Sequence, residues 1–351
     1  MKDVRILVTG VGSIASVSVC RCFKSVTERN IYVVGTDVKE RVPNMNIDKY
    51  YQNKRYDDPD LIDHLLDICK KEKIDLIMPL VDGELSRIAR HREDFLKVGT
   101  IVCLNDADTI LLIQNKYNFY KYLDEHDIGA PKRLLFHNVD EFINGCKELG
   151  FPENDVCYKP TISSGSRGFR QITNNIDYEN YLFRDRLSAV GAFTYDYMLD
   201  LMQKVKEFPE MMLMEYLSGA LVNVEAFAIK GKVKKLVMYT FPRDDGNFLG
   251  GDVIIDKNVE EYCEKVIDML KLDGYFGLQL AYSKDGEVKM LEINPRIHGS
   301  AIVSYFEDNN FPYFEIKYRL GEEIDFSKEI KPIRVEAIRE YVALTDDGKY
   351  V

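Results

Sequence analysis

The stretch Phe276-Gly277-Leu278-Gln279-Leu280-Ala281-Tyr282-Ser283-Lys284-Asp285-Gly286-Glu287-Val288-Lys289-Met290-Leu291-Glu292-Ile293-Asn294-Pro295-Arg296 decides how the chain is read. Asp285-Gly286 between alternating apolar residues is a two-residue hairpin signal. Counting outward equally from both turn residues brings Gln279 opposite Glu292, which sets their Cβ atoms about 4.5–5.5 Å apart. The two-residue strand period puts Asn294 on the face of Glu292, with Leu291 and Ile293 on the other. One carboxylate and two amide carbonyls then converge as hard oxygen ligands for Mg²⁺, an ion that keeps several waters and binds nucleotide phosphates. Pro295 ends the strand, and Arg296 follows at once, where its guanidinium can clamp a phosphoryl group.

Upstream, Lys159 closes an apolar strand at residues 156–159 and precedes Pro160 and the loop Ser163-Ser164-Gly165-Ser166-Arg167-Gly168. Small side chains let backbone amides approach phosphate oxygens, and the lysine adds a point charge. No Lys-Ser or Lys-Thr pair completes a P-loop. Met212-Leu213-Met214-Glu215-Tyr216-Leu217 reads as a strand running out into Ser218-Gly219. Extended backbone there suits the polar edge of adenine between apolar side chains, and equally suits a plain core strand.

The first 105 residues alternate short apolar runs with amphipathic stretches, the pattern of a parallel sheet covered by helices. Strands are predicted at 4–9, 31–35, 76–80 and 101–104, with one helix near 61–69 and another over 84–95. Gly10, Gly12 and Ala15 follow the first strand, and Asp37 ends the second, as in a dinucleotide-binding turn. A structural turn explains the same residues. After Asn115 come a helix at 116–125, a strand at 133–136, a helix at 140–149 and, past Met211, hairpins around Lys230-Gly231 and Asp285-Gly286. The fold class is therefore an N-terminal Rossmann-like α/β unit followed by an α+β, largely antiparallel part. Residues 334–341 alternate as an added edge strand.

The chain has 351 residues with 58 acidic and 47 basic side chains, a formal net charge of −11. Such a surface repels a phosphate backbone, so no nucleic acid partner is expected. At about 150 residues per domain, two or three domains fit the length. The seven cysteines are scattered without a CxxC pair, which fits a reducing compartment and speaks against structural zinc. No apolar run reaches the roughly 18 residues of a membrane span, and the N-terminus runs directly into a strand. The expectation is a cytoplasmic protein with no membrane partner. Neither a Ser-His-Asp nor a Cys-His constellation stands out; His298, near Arg296, is as well explained by loop packing. The sequence leaves homo-oligomer formation open.

In this order, Asn115-Lys116, Tyr158-Lys159-Pro160 with its small loop, Glu215 to Gly219, and Gln279 with Glu292-Ile293-Asn294-Pro295-Arg296 resemble the ATP-grasp superfamily, above all one ATP-grasp half of the carbamoyl-phosphate synthetase large subunit. The resemblance covers roughly residues 1–325. It implies an N-terminal pre-ATP-grasp domain (1–113), an ATP-grasp domain of two lobes (114–330, lid about 127–213) and a C-terminal extension (331–351). It further implies that Lys116, Lys159 and the loop Ser163, Ser164, Gly165 and Ser166 contact ATP phosphates. Glu215, Tyr216 and Leu217 would hold adenine through backbone groups, Gln279, Glu292 and Asn294 would ligate Mg²⁺, and Arg296 would stabilise the transferring phosphoryl group. Leu221 departs from the pattern, standing where an acid commonly meets the ribose; either Glu225 faces the site in its stead or ribose recognition is looser.

The implied activity is an ATP-dependent ligase that joins a small carboxylate to an amine or ammonia through an acylphosphate. Two other readings stand beside it: an NAD(P)-dependent oxidoreductase using Gly10, Gly12 and Asp37, and a nucleotide-binding protein without catalysis, suggested by Leu221 and Gln279. Substrate identity is assigned to residues 243–251 and the N-terminal unit, neither of which carries a decodable motif.

Overall fold

A computed structural model describes residues 1–163, 165, 167–176, 191–240, 250–336 and 343. The first sheet is built from β1 (Val4–Thr9), β2 (Ile31–Asp37), β3 (Lys49–Gln52), β4 (Leu76–Met78) and β5 (Ile101–Val102), with β-branched residues frequent in β1 and β2. Its order is β3-β2-β1-β4-β5, parallel throughout. Ser13 caps the helix Ile14–Lys24 by accepting from the Ser16 amide, so the chain turns from β1 into that helix in four residues. The helix expected over 84–95 is two, Leu85–Arg90 and Arg92–Lys97, because His91 leaves helical geometry between them. Strand β3 was not foreseen; Lys49-Tyr50-Tyr51-Gln52 at the sheet edge carries no apolar alternation to announce it.

A second sheet follows from β6 (Arg133–Phe136), β7 (Val156–Pro160), β8 (Arg170–Ile172), β9 (Ala192–Phe193) and β10 (Met211–Glu215), in the order β6-β10-β7-β8-β9. Only β8 and β9 run parallel among its described pairs. The third sheet holds β11 (Leu221–Ile229), β12 (Lys232–Thr240), β13 (Gly250–Ile254), β14 (Gly274–Tyr282), β15 (Val288–Asn294) and β16 (Arg334–Glu336), in the antiparallel order β15-β14-β11-β12-β13-β16. The predicted edge strand at 334–341 is thus present as β16 over its first residues; 337–341 lie outside the described residues. So do 241–249, most of the segment to which substrate choice was assigned.

The two faces of the third sheet position the site. Val222, Val224, Ala226, Leu278, Leu280 and Met290 pack against Val259, Cys263, Val266 and Ile267 of the helix Lys257–Leu270. On the other face Phe227, Tyr239 and Tyr275 join one apolar cluster with Val8 and Val11 of the first unit and Phe311 of the helix Phe311–Arg319. Each such fully buried side chain contributes about 1.5–3 kcal/mol, so the first unit and the third sheet are held as one body. Toward β15 the same face turns polar, and there the cleft opens.

Candidate active site

Gln279 does pair with Glu292, but by a different route from simple counting. The tip is a three-residue loop, Lys284-Asp285-Gly286, closed by the Ser283 amide on the Glu287 carbonyl (2.8 Å), with Gly286 at φ 82°. From there Tyr282 pairs with Val288, Ala281 with Lys289 and Leu280 with Met290, one position away from a two-residue turn. Leu291 is then left over as a β-bulge, which restores Gln279 opposite Glu292, Leu278 opposite Ile293 and Gly277 opposite Asn294.

The bulge does chemical work. The Leu291 carbonyl, freed from the ladder, accepts from the Tyr120 hydroxyl at 2.6 Å and from the Lys159 ammonium at 3.4 Å. Lys159 also donates to the Tyr120 hydroxyl at 3.2 Å. Lys159, expected at the phosphates, is buried with its ammonium held between the Tyr120 hydroxyl and the Leu291 carbonyl. Burial pulls its pKa down, against the attraction of Glu292. The bulge also brings Lys289 onto the face of Glu292, where it pairs with Glu215 at 2.8 Å.

On that face Asn223 of β11 stands opposite Gln279 on its other side, so three strands carry one polar rung, Asn223, Gln279 and Glu292. Asn223 went unread in the sequence, although its alternation with Val222 and Val224 was the available signal. Lys116, at the start of the helix Lys116–Asp124, reaches Glu292 at 3.7 Å and donates to the Ser163 carbonyl at 2.6 Å. Desolvation lowers its pKa while Glu292 opposes the shift. Ser163 and Gly165 line the cleft; Ser164 and Ser166 lie outside the described residues.

Glu225 is completely buried, with Tyr275 donating to one carboxylate oxygen and the Tyr239 hydroxyl 3.0 Å from the other. His298 completes that cluster, its Nε2 3.4 Å from Glu225 and its Nδ1 2.8 Å from Ser300 Oγ. Burial holds the His298 pKa below the usual histidine range. The imidazole packs on the bare backbone of Gly277, where an added Cβ would come within 1.8 Å of Nε2. At the expected adenine strand, the Glu215 and Tyr216 amides donate to the Lys132 and Asp155 carbonyls. Leu221 begins β11 opposite Ala281 on the face of the rung, and Ala281 in turn stands opposite Lys289, whose ammonium holds the Glu215 carboxylate.

The cleft encloses about 630 Å³ between Glu292, Asn294 and Arg296 on one wall, Lys116 and the Ser163–Gly165 loop on another, and Gly10, Asp82 and Gly83 of the first unit on the third. Arg296 makes a forked pair with Asp82, Nε at 2.7 Å and Nη2 at 3.1 Å. The glycine turn does not present an anion cradle: the Asp37 carboxylate accepts from the Gly12 amide at 2.8 Å and the Lys39 ammonium covers the Gly12 carbonyl. A protein carboxylate already sits where a pyrophosphate would, which removes the dinucleotide reading.

Among the described residues no three His, Cys, Asp or Glu side chains form a metal cage. The donor set of one carboxylate flanked by amide oxygens nevertheless fits Mg²⁺ that takes its remaining ligands from phosphates and water. Among the described residues, too, no helix is long and apolar enough to cross a membrane.

Residues 207–341 match the family model described as "ATP-grasp in the biosynthetic pathway with Ter operon", and residues 6–103 match "PylC-like, N-terminal domain". The chain therefore carries an ATP-grasp domain behind a first unit that matches the PylC-like N-terminal domain. It is similar to the formate-dependent phosphoribosylglycinamide formyltransferase of Ignicoccus hospitalis, 23% identical over 78% of this chain and 65% of that one. To the carbamoyl phosphate synthase large chain of Methanobrevibacter smithii it is 25% identical over 77% of this chain, spanning only 25% of the relative. Among solved structures, N5-carboxyaminoimidazole synthetase from Staphylococcus aureus complexed with ADP superposes with a TM-score of 0.66 at 17% identity, covering 94% of this chain and 81% of that one. Biotin carboxylase from Campylobacter jejuni gives 0.65 at 15%, covering 93% and 73%.

Proposed function

We propose that the chain is an ADP-forming, Mg²⁺-dependent ligase that joins a small-molecule carboxylate to an amine or ammonia in the cytoplasm. The observation that carries this reading is the polar rung ending at Glu292, with Lys116 and Arg296 beside it, opening on a cleft that also reaches the first unit. The relatives' activities and the burial of the cysteines support it. Glu292, Asn294 and Gln279 would hold Mg²⁺, which neutralises charge on the phosphates it binds.

In the reaction a substrate carboxylate oxygen forms a bond to the γ-phosphorus of ATP as the bond to the ADP oxygen breaks. The amine nitrogen then adds to the acyl carbon and phosphate leaves. Such a transfer needs little covalent work from the protein. Lys116 and Arg296 supply fixed positive charge at the phosphates, and backbone amides at Ser163 and Gly165 would add to it. Lys159 adds charge from behind the strand while steadying the Leu291 carbonyl. Adenine is met at the stem where Glu215, Tyr216 and Leu217 leave β10, by apolar contact as much as by the backbone. The acid and amine occupy the part of the cleft walled by the first unit.

Replacing Glu292 by Ala tests the assignment. ADP formation, screened over amino acids and small carboxylates with ATP and Mg²⁺, should fall roughly 100- to 1000-fold, the scale on which one charge-stabilising group acts. The circular dichroism spectrum should not change. Undiminished turnover in the variant would remove the site.

A further inference from the structure

We propose that Asp82 is a positioning residue for phosphoryl transfer, holding Arg296 across the boundary between the first unit and the third sheet; this rests on the function proposed above. The two residues are 214 positions apart in sequence, yet they form a fork–fork pair through Nε and Nη2, the geometry that fixes a guanidinium plane rather than merely neutralising it. Arg296 Nη1 donates to the Ile297 carbonyl at 3.2 Å. Arginine carries more N–H donors than these three bonds use, so a phosphoryl oxygen can still be bound by a side chain whose plane is already set.

Asp82 is itself held. Its carbonyl accepts from Gln114 Nε2 at 2.6 Å, and two residues further on the buried Glu84 bonds to Thr9 Oγ1, which in turn accepts from the Leu80 amide at 3.0 Å. The segment 80–84 is thus bolted to β1, and its Asp82 meets Arg296 just beyond the end of β15. Gly83 lets the Tyr56 ring lie against this turn, where any Cβ would meet it at 2.5 Å. Arginine pre-aligned in this way loses little freedom when the transferring group arrives.

The test compares wild type, Asp82→Asn, Asp82→Glu, Arg296→Ala and the double variant Asp82→Asn/Arg296→Ala, each checked for folding by its melting temperature. Turnover is read with ATP and the accepted acid, and binding with Mg·ADP alone and with Mg·ADP plus aluminium fluoride, a mimic of the phosphoryl group in flight. Asp82→Asn should lower kcat roughly 100-fold, as a misplaced catalytic group does, with KM for ATP almost unmoved. Asp82→Glu should recover part of that loss. The double variant should be no slower than Arg296→Ala, and Asp82→Asn should lose the extra affinity that aluminium fluoride gives wild type.

Wild-type turnover and aluminium fluoride affinity in Asp82→Asn, or losses that multiply in the double variant, would overturn the positioning role while leaving the ligase reading in place. Faster ADP release by Asp82→Asn would overturn it in favour of Asp82 as a restraint on Arg296. Failure of the wild-type protein to bind Mg·ADP would overturn both.

Discussion

Among single residues, Glu84 shows how the first unit meets the cleft. Its carboxyl is 2% exposed, and burial pushes its pKa up from 4.5 to about 7. A carboxyl raised in the folded state favours the fold while protonated. That contribution is complete below about pH 4.5 and is lost as pH rises through 7. Glu84→Gln keeps the acceptor for Thr9 without the charge, so the variant should be more stable than wild type at pH 8 by on the order of 3 kcal/mol. The difference should vanish near pH 4.5. Denaturant melts at the two pH values measure it, and a gap that persists at low pH would contradict the account. Nothing in the sequence around Asp82-Gly83-Glu84 announced this residue or its neighbour, because both act through partners on other elements.

At the level of elements, the hairpin of β14 and β15 was legible in outcome and not in path. Counting from Asp285-Gly286 assumes a two-residue turn and an unbroken ladder; the three-residue tip and the bulge at Leu291 each shift the register, and the shifts cancel at Gln279 and Glu292. Lys289 shows what the simple count missed, since a strict two-residue period sends it away from Glu292. Tyr120 was equally hidden: its role depends on a carbonyl that only the bulge exposes. Tyr120→Phe removes the 2.6 Å bond to Leu291 from a fully buried site and should cost about 1–2 kcal/mol in urea unfolding. An unchanged midpoint would mean that the Lys159 ammonium alone satisfies that carbonyl.

For the whole molecule, the alternation of strands and helices in the first unit and the hairpins beyond Met211 sufficed to read the fold class, since both rest on periodicity. The cleft was less accessible, because it is assembled from three walls that periodicity cannot bring together. Glu225 illustrates the limit: strand alternation puts it on the face of Asn223, and cannot tell that two tyrosine hydroxyls enclose it. A ligand that binds only the folded chain raises its stability by about 2.7 kcal/mol at roughly a hundredfold excess over Kd. ATP with Mg²⁺ should therefore raise the melting temperature by several degrees, while NADH at the same concentration should leave it unmoved, because Asp37 fills the glycine turn. A shift with NADH would reopen the oxidoreductase reading.

The contacts made by Lys159 and Glu215 carry a mechanical consequence. Both strands at the centre of the second sheet, β7 and β10, are pinned at their ends to the β14–β15 ribbon, through Leu291 in one case and Lys289 in the other. Because β7 and β10 run antiparallel, with Lys159 beside Met212 and Glu215 beside Val156, the two pins sit at opposite ends of the pair, so a swing of that sheet as one body breaks at least one of them.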